Sequence, residues 1–474
     1  MSAVLPPVSA RSMTARDAAA AAARIRFRRA LTLVGMTVVA PGSAQLVAGN
    51  KRVGRIALRS TAAAIAFVGL LLLLGFVWRE ELVSLFLRPG FLLALRIGLI
   101  AYAIGWAYLI VDAWRICEPL ELERGHRLAM TALNGTLCFT LSGALLFASH
   151  LVAVQRDFIS TVFGGDQVTS AEHGRYNILL LGGDAGPKRV GIRPDSLTVA
   201  SIDEQTGRTV LLGLPRNLEN VPFPPGTAMH RQFPKGFRCT DCYLNGINTW
   251  ANEHPELFPH DKTPGITATT QAVEQITGLN INYYALIDLK GFQDLVDAVG
   301  GVTVNVKERI PIGGVGGPIS GWIQPGRQHL DGYQTLWYSR SRATSDDYSR
   351  MARQKCVMNA MLHQLKPTKV LSNFGAIARA GKQIISTSIP ASQLDTFVNL
   401  SFKAKSLPVA SVSFVPPKIN TGDPDYRLIR SMVTRAIASS QAKDDPDRSS
   451  STTTKKKHRP QRDANDSGNL ANAC

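Results

Sequence analysis

Asn177-Ile178-Leu179-Leu180-Leu181-Gly182-Gly183-Asp184 is an apolar run that halts on two glycines and a carboxylate. That is the pattern of a buried strand ending in a tight turn. A loop later comes Arg193-Pro194-Asp195, then a second apolar run from Leu197 to Ile202, a turn at Asp203 to Gly207, and a third run, Thr209 to Leu214, ending in Pro215-Arg216. If the three strands are neighbours, Asp184, Arg193, Asp195 and Arg216 gather at strand ends, where open α/β sheets form their ligand crevices. Two acids beside two arginines suit a metal-bound phosphate. Each residue also has a duller reading. An Asp after Gly-Gly is usually a turn residue, and Arg-x-Asp is usually a solvated surface pair.

Downstream of these strands, Pro222, Pro224, Pro225 and Pro234 make residues 220–237 a loop, followed by a short helix over 241–252. Thr263-Pro264 opens a helix that Gly278 stops. A strand over 281–288, a helix over 290–299 ended by Gly300-Gly301, and a strand over 302–306 read as a βαβ unit, hence a parallel pair in an α/β sandwich. Residues 311–326 are a loop or irregular hairpin, and 333–338 a helix. A second polar cluster follows: Arg340-Ser341-Arg342, Asp346-Asp347, Arg350, Arg353 and Gln354. A helix over 347–365 would bury Met351, Met358, Met361 and Leu362 and place Arg350 and Gln354 on one face. A solvated face explains this cluster alone; two such clusters in one domain favour anion binding. Helices over 371–386, 391–403 and 424–440 and a strand over 409–415 complete the domain.

Toward the N-terminus, Ser60 to Trp78, Ile97 to Trp114 and Leu128 to Val154 are each long and apolar enough to span a bilayer. Residues 31–49 are interrupted by Pro41-Gly42-Ser43 and Gln45, which favours a re-entrant or interfacial hairpin over a full crossing. Three crossings put Arg24, Arg26, Arg28, Arg29, Lys51, Arg52 and Arg55 in the cytoplasm with Arg115, Arg124 and Arg127, and the arginine-poor loop 79–89 outside. Everything after about residue 154 is then extracellular; a fourth crossing would reverse that. No small-residue cleavage site marks a removable signal peptide.

The net charge of +18 resides largely in these flanks and in a tail carrying Lys455-Lys456-Lys457-His458-Arg459. No helix-turn-helix, zinc finger or aromatic-interleaved basic strand accompanies it, so nucleic acid is excluded and anionic envelope polymer or lipid head groups are the natural partners. Of six cysteines, Cys117 and Cys138 lie in or beside spans. Cys239 and Cys242 form a lone C-x-x-C, for which a local disulfide is expected, with Cys356 as a competing partner; zinc and a thioredoxin-like role lack the supporting context. No Walker loop is present. The expected organisation is a basic cytoplasmic N-terminus (1–30), a membrane region (31–154), a connector (155–175), an outer domain (176–440) and a disordered basic tail (441–474).

Between residues 175 and 440 the sequence resembles the LytR-CpsA-Psr family of cell-envelope phosphotransferases. The resemblance rests on Gly-Gly-Asp184, Arg193-Pro194-Asp195-Ser196, Leu214-Pro215-Arg216, Asn245, Val299-Gly300-Gly301-Val302 and the run from Leu330-Asp331-Gly332 through Arg340-Ser341-Arg342 to Arg353-Gln354. It implies a three-layer αβα sandwich with a mixed central sheet. It also implies a multi-pass membrane enzyme with an extracellular catalytic domain, which takes a glycopolymer from a polyprenyl-pyrophosphate carrier and joins it by a phosphodiester to peptidoglycan. A teichoic acid or an arabinogalactan-like polymer would serve as cargo.

By matching motif, Asp184 and Asp195 would associate with Mg2+ (or Mn2+). Arg193, Arg216, Arg340 and Arg342 would bind the pyrophosphate and, with Asp195, form the catalytic set; Asp347, Arg350 and Gln354 would support them. An apolar groove for the prenyl chain would lie between sheet and helices. Two positions depart from the family pattern: Asn217 stands where Asp is common, and Tyr243 where a lysine is common. Asn217 cannot act as a base, which leaves the activation of the acceptor hydroxyl open. The alternatives are a polyprenyl-pyrophosphate pyrophosphatase and a non-catalytic envelope-binding or regulatory protein.

Overall fold

The computed structural model describes residues 15–165, 167–184, 193–314, 317–364, 385–404, 407–443, 465 and 470. The chain divides into two compact units, Met1–Arg156 and Asp157–Cys474.

Among the described residues the first unit holds helices and no strand: α1 (Ala15–Val39), α2 (Ser43–Val47), α3 (Lys51–Val77), α4 (Arg79–Leu87), α5 (Pro89–Ile116) and α6 (Arg124–Val162), whose last turns lie beyond Arg156. Three of them, α3, α5 and α6, are long and apolar enough to cross a membrane. Their length suffices for a hydrocarbon core of about 30 Å at 1.5 Å rise per residue. On α3, Ile65, Leu72 and Phe76 point outward uncovered. The chain breaks between α1 and α2 at Gly42, whose φ of 100° is open to glycine and strained for any other residue. A Cβ there would meet the carbonyl of Gly54 at 2.7 Å. Gln45, fully buried, donates from Nε2 to the Leu109 carbonyl at 3.0 Å, so part of the polar break is met by protein, while its Oε1 has no hydrogen-bond partner among the described residues.

In the second unit a six-stranded sheet runs in the order β10-β3-β2-β1-β4-β9. Its strands are β1 (Arg175–Asp184), β2 (Arg193–Asp203), β3 (Thr209–Leu214), β4 (Tyr283–Asp288), β9 (Ile385–Thr387) and β10 (Ala410–Ser413). The three apolar runs do form neighbouring antiparallel strands. Parallel pairs at β1/β4 and β3/β10 make the sheet mixed.

Alternation of side chains decides its two faces. Leu179, Leu181, Leu197, Val199, Val210, Leu212 and Leu214 point one way, against α8 (Gly246–Glu253), α9 (Pro264–Thr277) and α14 (Tyr426–Gln441). Ile178, Leu180 and Ile202 point the other way, toward Phe397 and Leu400 of α13 (Leu394–Ala404). Ala200 and Leu211 on that same face meet Ala352 and Met358 of α12 (Asp347–Gln364). This is the expected αβα sandwich, preceded by a helical region.

Several local expectations change. The strand-helix-strand stretch is not a parallel βαβ unit. After α10 (Leu289–Ala298), Gly300 and Gly301 at φ 85° and 79° turn the chain away, and β5 (Val302–Val306) pairs antiparallel with β8 (Gly326–Leu330) outside the main sheet. Burial drives this: Val302, Val304 and Val306 pack with Cys356, Val357 and Ala360 of α12 in a second core. The stretch 311–326 is largely an irregular hairpin, β6 (Ile310–Gly313) against β7 (Ile319–Ile323).

The Pro-rich loop holds a short helix, α7 (Ala228–Gln232), capped by Thr227 and placed between the prolines. Helix α8 starts at Gly246 and not at 241, because Asp241 sits at φ 60° within the disulfide that joins Cys239 to Cys242. Cys356 is also disulfide-bonded and competes with neither. On α12 Met351 is buried, but Leu362 is 45% exposed. Most of the helix expected over 371–386 lies outside the described residues, and its end is strand β9. Of the tail expected to be disordered, Asn465 and Leu470 are buried and the rest beyond 443 lies outside the described residues.

The remaining helix, α11 (Gly332–Arg340), is opened by a capping box between Asp331 and Gln334. Gly332 lets it approach α10: a Cβ there would lie 2.1 Å from the Gln293 carbonyl oxygen. The central sheet is the scaffold on which all of this rests. Leu212, fully buried in its middle, should cost about 2–5 kcal/mol when cut to Ala. Denaturant unfolding of the second unit would read this directly; a loss under about 1 kcal/mol would contradict the packing described.

Candidate active site

Strand β2 carries an irregularity that decides the site. Gly182 pairs with Ser196 and Gly183 with Pro194, so Asp195 is the extra residue of a bulge. A bulged residue escapes the ladder and its side chain is re-aimed. Asp195 Oδ1 accepts from Arg216 Nη1 at 2.7 Å and from Asn245 Nδ2 at 3.0 Å. Arg216, just past the end of β3, turns its Nε to Asp347 Oδ2 at 2.8 Å. Asp347 opens α12, where a carboxylate also favours the helix dipole. Its Oδ1 accepts from Arg342 Nη1 at 3.3 Å and lies 3.9 Å from Arg350 Nη2. Two acids thus hold three arginines in one chain of contacts, drawn from β2, the β3 end, the α11–α12 loop and α12.

The remaining predicted residues fall around this chain. Arg193 begins β2, its backbone opposite that of Asp184. Gln354 donates from Nε2 to the Ser339 carbonyl at 3.2 Å, steadying the end of α11. Arg340 is held over the Trp337 ring, 5.7 Å from its centroid. The expected metal-binding carboxylate of Asp184 lies outside the described side chains. Arg193 Nε and Arg350 Nε are buried and have no hydrogen-bond partner among the described residues. A buried guanidinium N–H left open in this way is what an anion would satisfy.

Electrostatics are strongly coupled here. Burial alone would raise the Asp195 carboxyl, but Arg216, Arg350 and the Asn245 amide outweigh it and hold it below the usual range. Asp347 behaves the same way: burial pushes up, and Arg216, Arg350 and Arg342 pull it down further. Arg350, only 3% exposed, is pushed by burial down to about 10, partly offset by Asp347. It keeps its proton at neutral pH.

Three contributors were not among the residues singled out as the site. Arg353 donates from Nε to the Tyr338 carbonyl at 2.8 Å and from Nη2 to the Ser341 carbonyl, clamping the loop that bears Arg342. Asn245 acts as described; its motif was visible, but its bond to Asp195 was not. Thr421 takes Asn217 Nδ2 at 3.2 Å and shares a 2.9 Å hydrogen bond with the Tyr348 hydroxyl. Nothing in the Gly- and Asp-rich sequence around Thr421 signalled that role.

The resemblance implies a magnesium ion held by Asp184 and Asp195. Among the described residues no group of three or more His, Cys, Asp or Glu side chains gathers to hold a metal. Asp195 nevertheless fits a site in which phosphate supplies the other ligands: its Oδ1 is taken by two donors, whereas no hydrogen bond to Oδ2 is seen among the described residues. Hard divalent cations accept such sparse oxygen sets completed by phosphate and water.

The profile of the LytR_cpsA_psr family matches residues 153–421, a segment that contains every residue above. The chain belongs to the LytR_cpsA_psr family. It is 29% identical over 214 residues to a protein of Oceanobacillus iheyensis named polyisoprenyl-teichoic acid–peptidoglycan teichoic acid transferase TagU, covering 44% of this chain and 56% of that one. The protein of the same name from Bacillus mycoides is 27% identical over 220 residues, covering 46% and 62%. The chain therefore spans about three-fifths of the length of these curated relatives. Among solved structures, gbs0355 from Streptococcus agalactiae aligns with a TM-score of 0.42 at 23% identity, covering 52% of this chain and 80% of that one. TagT bound to LIIa-WTA aligns at 0.40 and 18%, covering 57% and 92%.

The paired carboxylates give the site an acid limit. Their folded-state values lie below the unfolded value of about 4, so their stabilisation is complete above about pH 4 and is lost as pH falls through the folded values. Asp347→Asn should lower the unfolding temperature at pH 7, and the gap to wild type should shrink below about pH 4. A gap that stays constant from pH 7 to 3 would show that Asp347 does not hold its arginines as a carboxylate.

Proposed function

We propose that this protein is a membrane-anchored phosphotransferase that moves a glycopolymer from a polyprenyl-pyrophosphate carrier onto peptidoglycan. The observation that carries the reading is the Asp195–Arg216–Asp347 chain with Arg342 and Arg350, which opens onto a cleft between the sheet and α12. The family membership and the printed names of the relatives support the substrate class.

In this reading an acceptor hydroxyl oxygen attacks the sugar-bearing phosphorus, and a new P–O bond forms. The bond from that phosphorus to the bridging oxygen breaks, polyprenyl phosphate departs with the electron pair, and the hydroxyl proton ends in bulk water. Arg193, Arg216, Arg340 and Arg342 grip the non-bridging oxygens, where fixed cations stabilise charge as it moves toward the leaving phosphate. Arg350 adds a buried positive charge and Asp347 keeps the arginines oriented; Gln354 steadies the α11 end. Asp195, with Asp184, would hold Mg2+ or Mn2+, which would supply further neutralisation of the pyrophosphate. Asn217 is no base, and its amide is bound to Thr421.

The three apolar helices anchor the chain as a multi-pass protein. The basic flanks stay in the cytoplasm and the outer domain faces the wall, beside a lipid-linked donor and next to peptidoglycan. A teichoic acid or arabinogalactan-like polymer is the proposed cargo.

The test uses the full chain in detergent with a polyprenyl-pyrophosphate-linked sugar, magnesium and nascent glycan strands. Wild type should place sugar phosphate on the glycan, and Arg193→Ala and Asp195→Ala should each lower the rate at least about a hundredfold. Free phosphate without transfer would replace this reading with a pyrophosphatase. Transfer undiminished in both variants would remove the proposed site.

A further inference from the structure

Helix α11 carries Tyr333, Trp337 and Arg340 at spacings of four and three, so they stand one above another on a single face. The rings of Tyr333 and Trp337 meet edge to face with centroids 6.4 Å apart, and the Arg340 guanidinium lies over the Trp337 ring. Two residues on, Arg342 is bonded to Asp347, so this ladder ends beside the charged chain of the candidate site.

Other aromatic groups of this unit close the fold. Phe233, Phe237 and Trp250 pack together against the main core, and Tyr338 belongs to the second core. Tyr333 and Trp337 join neither: Tyr333 is 44% exposed and Trp337 half-buried. No hydrogen bond of the Tyr333 hydroxyl or of the Trp337 indole N–H is seen among the described residues.

The cation on this ladder is loosely held. Arg309 lies 4.1 Å over the Trp322 ring, whereas Arg340 at 5.7 Å is near the outer limit of about 6 Å for such contacts. A contact of this kind at an exposed site is weak, and a phosphate offers the guanidinium charge-assisted, bidentate hydrogen bonds instead. Phosphate would draw Arg340 off the indole and leave that face of the ring bare. In a sugar-bearing pyrophosphate the group joined to the outer phosphate is a pyranose, with an apolar C–H face and a rim of hydroxyls. Such a ring covers a bare aromatic face and offers partners to an open indole N–H and a phenol hydroxyl.

We propose that Tyr333 and Trp337 are a sugar-stacking platform, on which the pyranose next to the phosphate takes the place of Arg340 over Trp337 while Arg340 turns to the phosphate. The identity of the ligand rests on the proposed function. Tyr333, one step further from Arg340, receives the following sugar. Sugar and phosphate then reinforce each other, because a sugar-free pyrophosphate takes Arg340 away and leaves the indole exposed.

The experiment measures, by calorimetry on the full chain in detergent, the affinity for geranyl pyrophosphate and for the same lipid carrying N-acetylglucosamine on its outer phosphate. Wild type should favour the sugar-bearing lipid by about fivefold or more, the size of a stacking contact. Trp337→Ala should abolish that preference and leave the affinity for geranyl pyrophosphate within about twofold of wild type; Trp337→Phe should keep the preference. Trp337→Gln, which retains bulk and helix propensity, should read like Trp337→Ala and carries the comparison if the alanine variant unfolds. Tyr333→Ala should matter only when a second sugar is attached.

A preference that survives in both Trp337→Ala and Trp337→Gln would overturn the platform. Equal binding of the two lipids by wild type would also overturn it and leave the phosphate site standing. If wild type binds neither lipid, the phosphate assignment fails and the platform fails with it.

Discussion

One guanidinium joins the two halves of the site. Arg216 reaches Asp195 with one nitrogen and Asp347 with another, and so ties the bulge on β2 to the first turn of α12. Each acid alone, partly buried beside so much protein, would be costly to ionise; shared between them, the cation makes both carboxylates stable as anions. The orientation of Arg342 and the burial of Arg350 follow, because both need Asp347 charged and in place. Removing Arg216 would leave two acids without their central partner and loosen the helix from the sheet edge.

Much of the fold was legible because its central strands carry short apolar runs bounded by turn residues, as in Ile178 to Leu181 and Val210 to Leu214. Helix α9 was equally clear, with Pro264 at its start and Gly278 at φ 72° after its end. What failed were elements whose partners sit far away in sequence. Val302 to Val306 reads as a strand in either arrangement, and only the apolar side of α12 decides that it leaves the main sheet. Strand β9 has three residues and gains its identity from β4 alone.

The site shows the same division. Clusters of Arg and Asp stand out as residue types, whereas their pairing depends on a bulge that no periodicity announces. Asn245 and Thr421 illustrate the limit. Each is an ordinary polar residue whose role comes from one bond across the fold, to Asp195 and to the Asn217 amide respectively. The two acids, the arginines and Asn245 were visible as residues; the bonds that orient them were not.

The order of strands in the sheet differs from their order along the chain. Val210 finds its parallel neighbour in Ala410, and Ala285 finds Thr387, so both outer strands arrive only when most of the domain has emerged. A chain delivered from its N-terminal end would therefore hold a three-stranded antiparallel ribbon, β1 to β3, with both edges open for the time it takes to complete the rest. Closure of such distant pairs is slow compared with local hairpins. The period of open edges, more than the final stability, is where this protein is most exposed to aggregation, and a chaperone that binds unpaired strands would find its surface there.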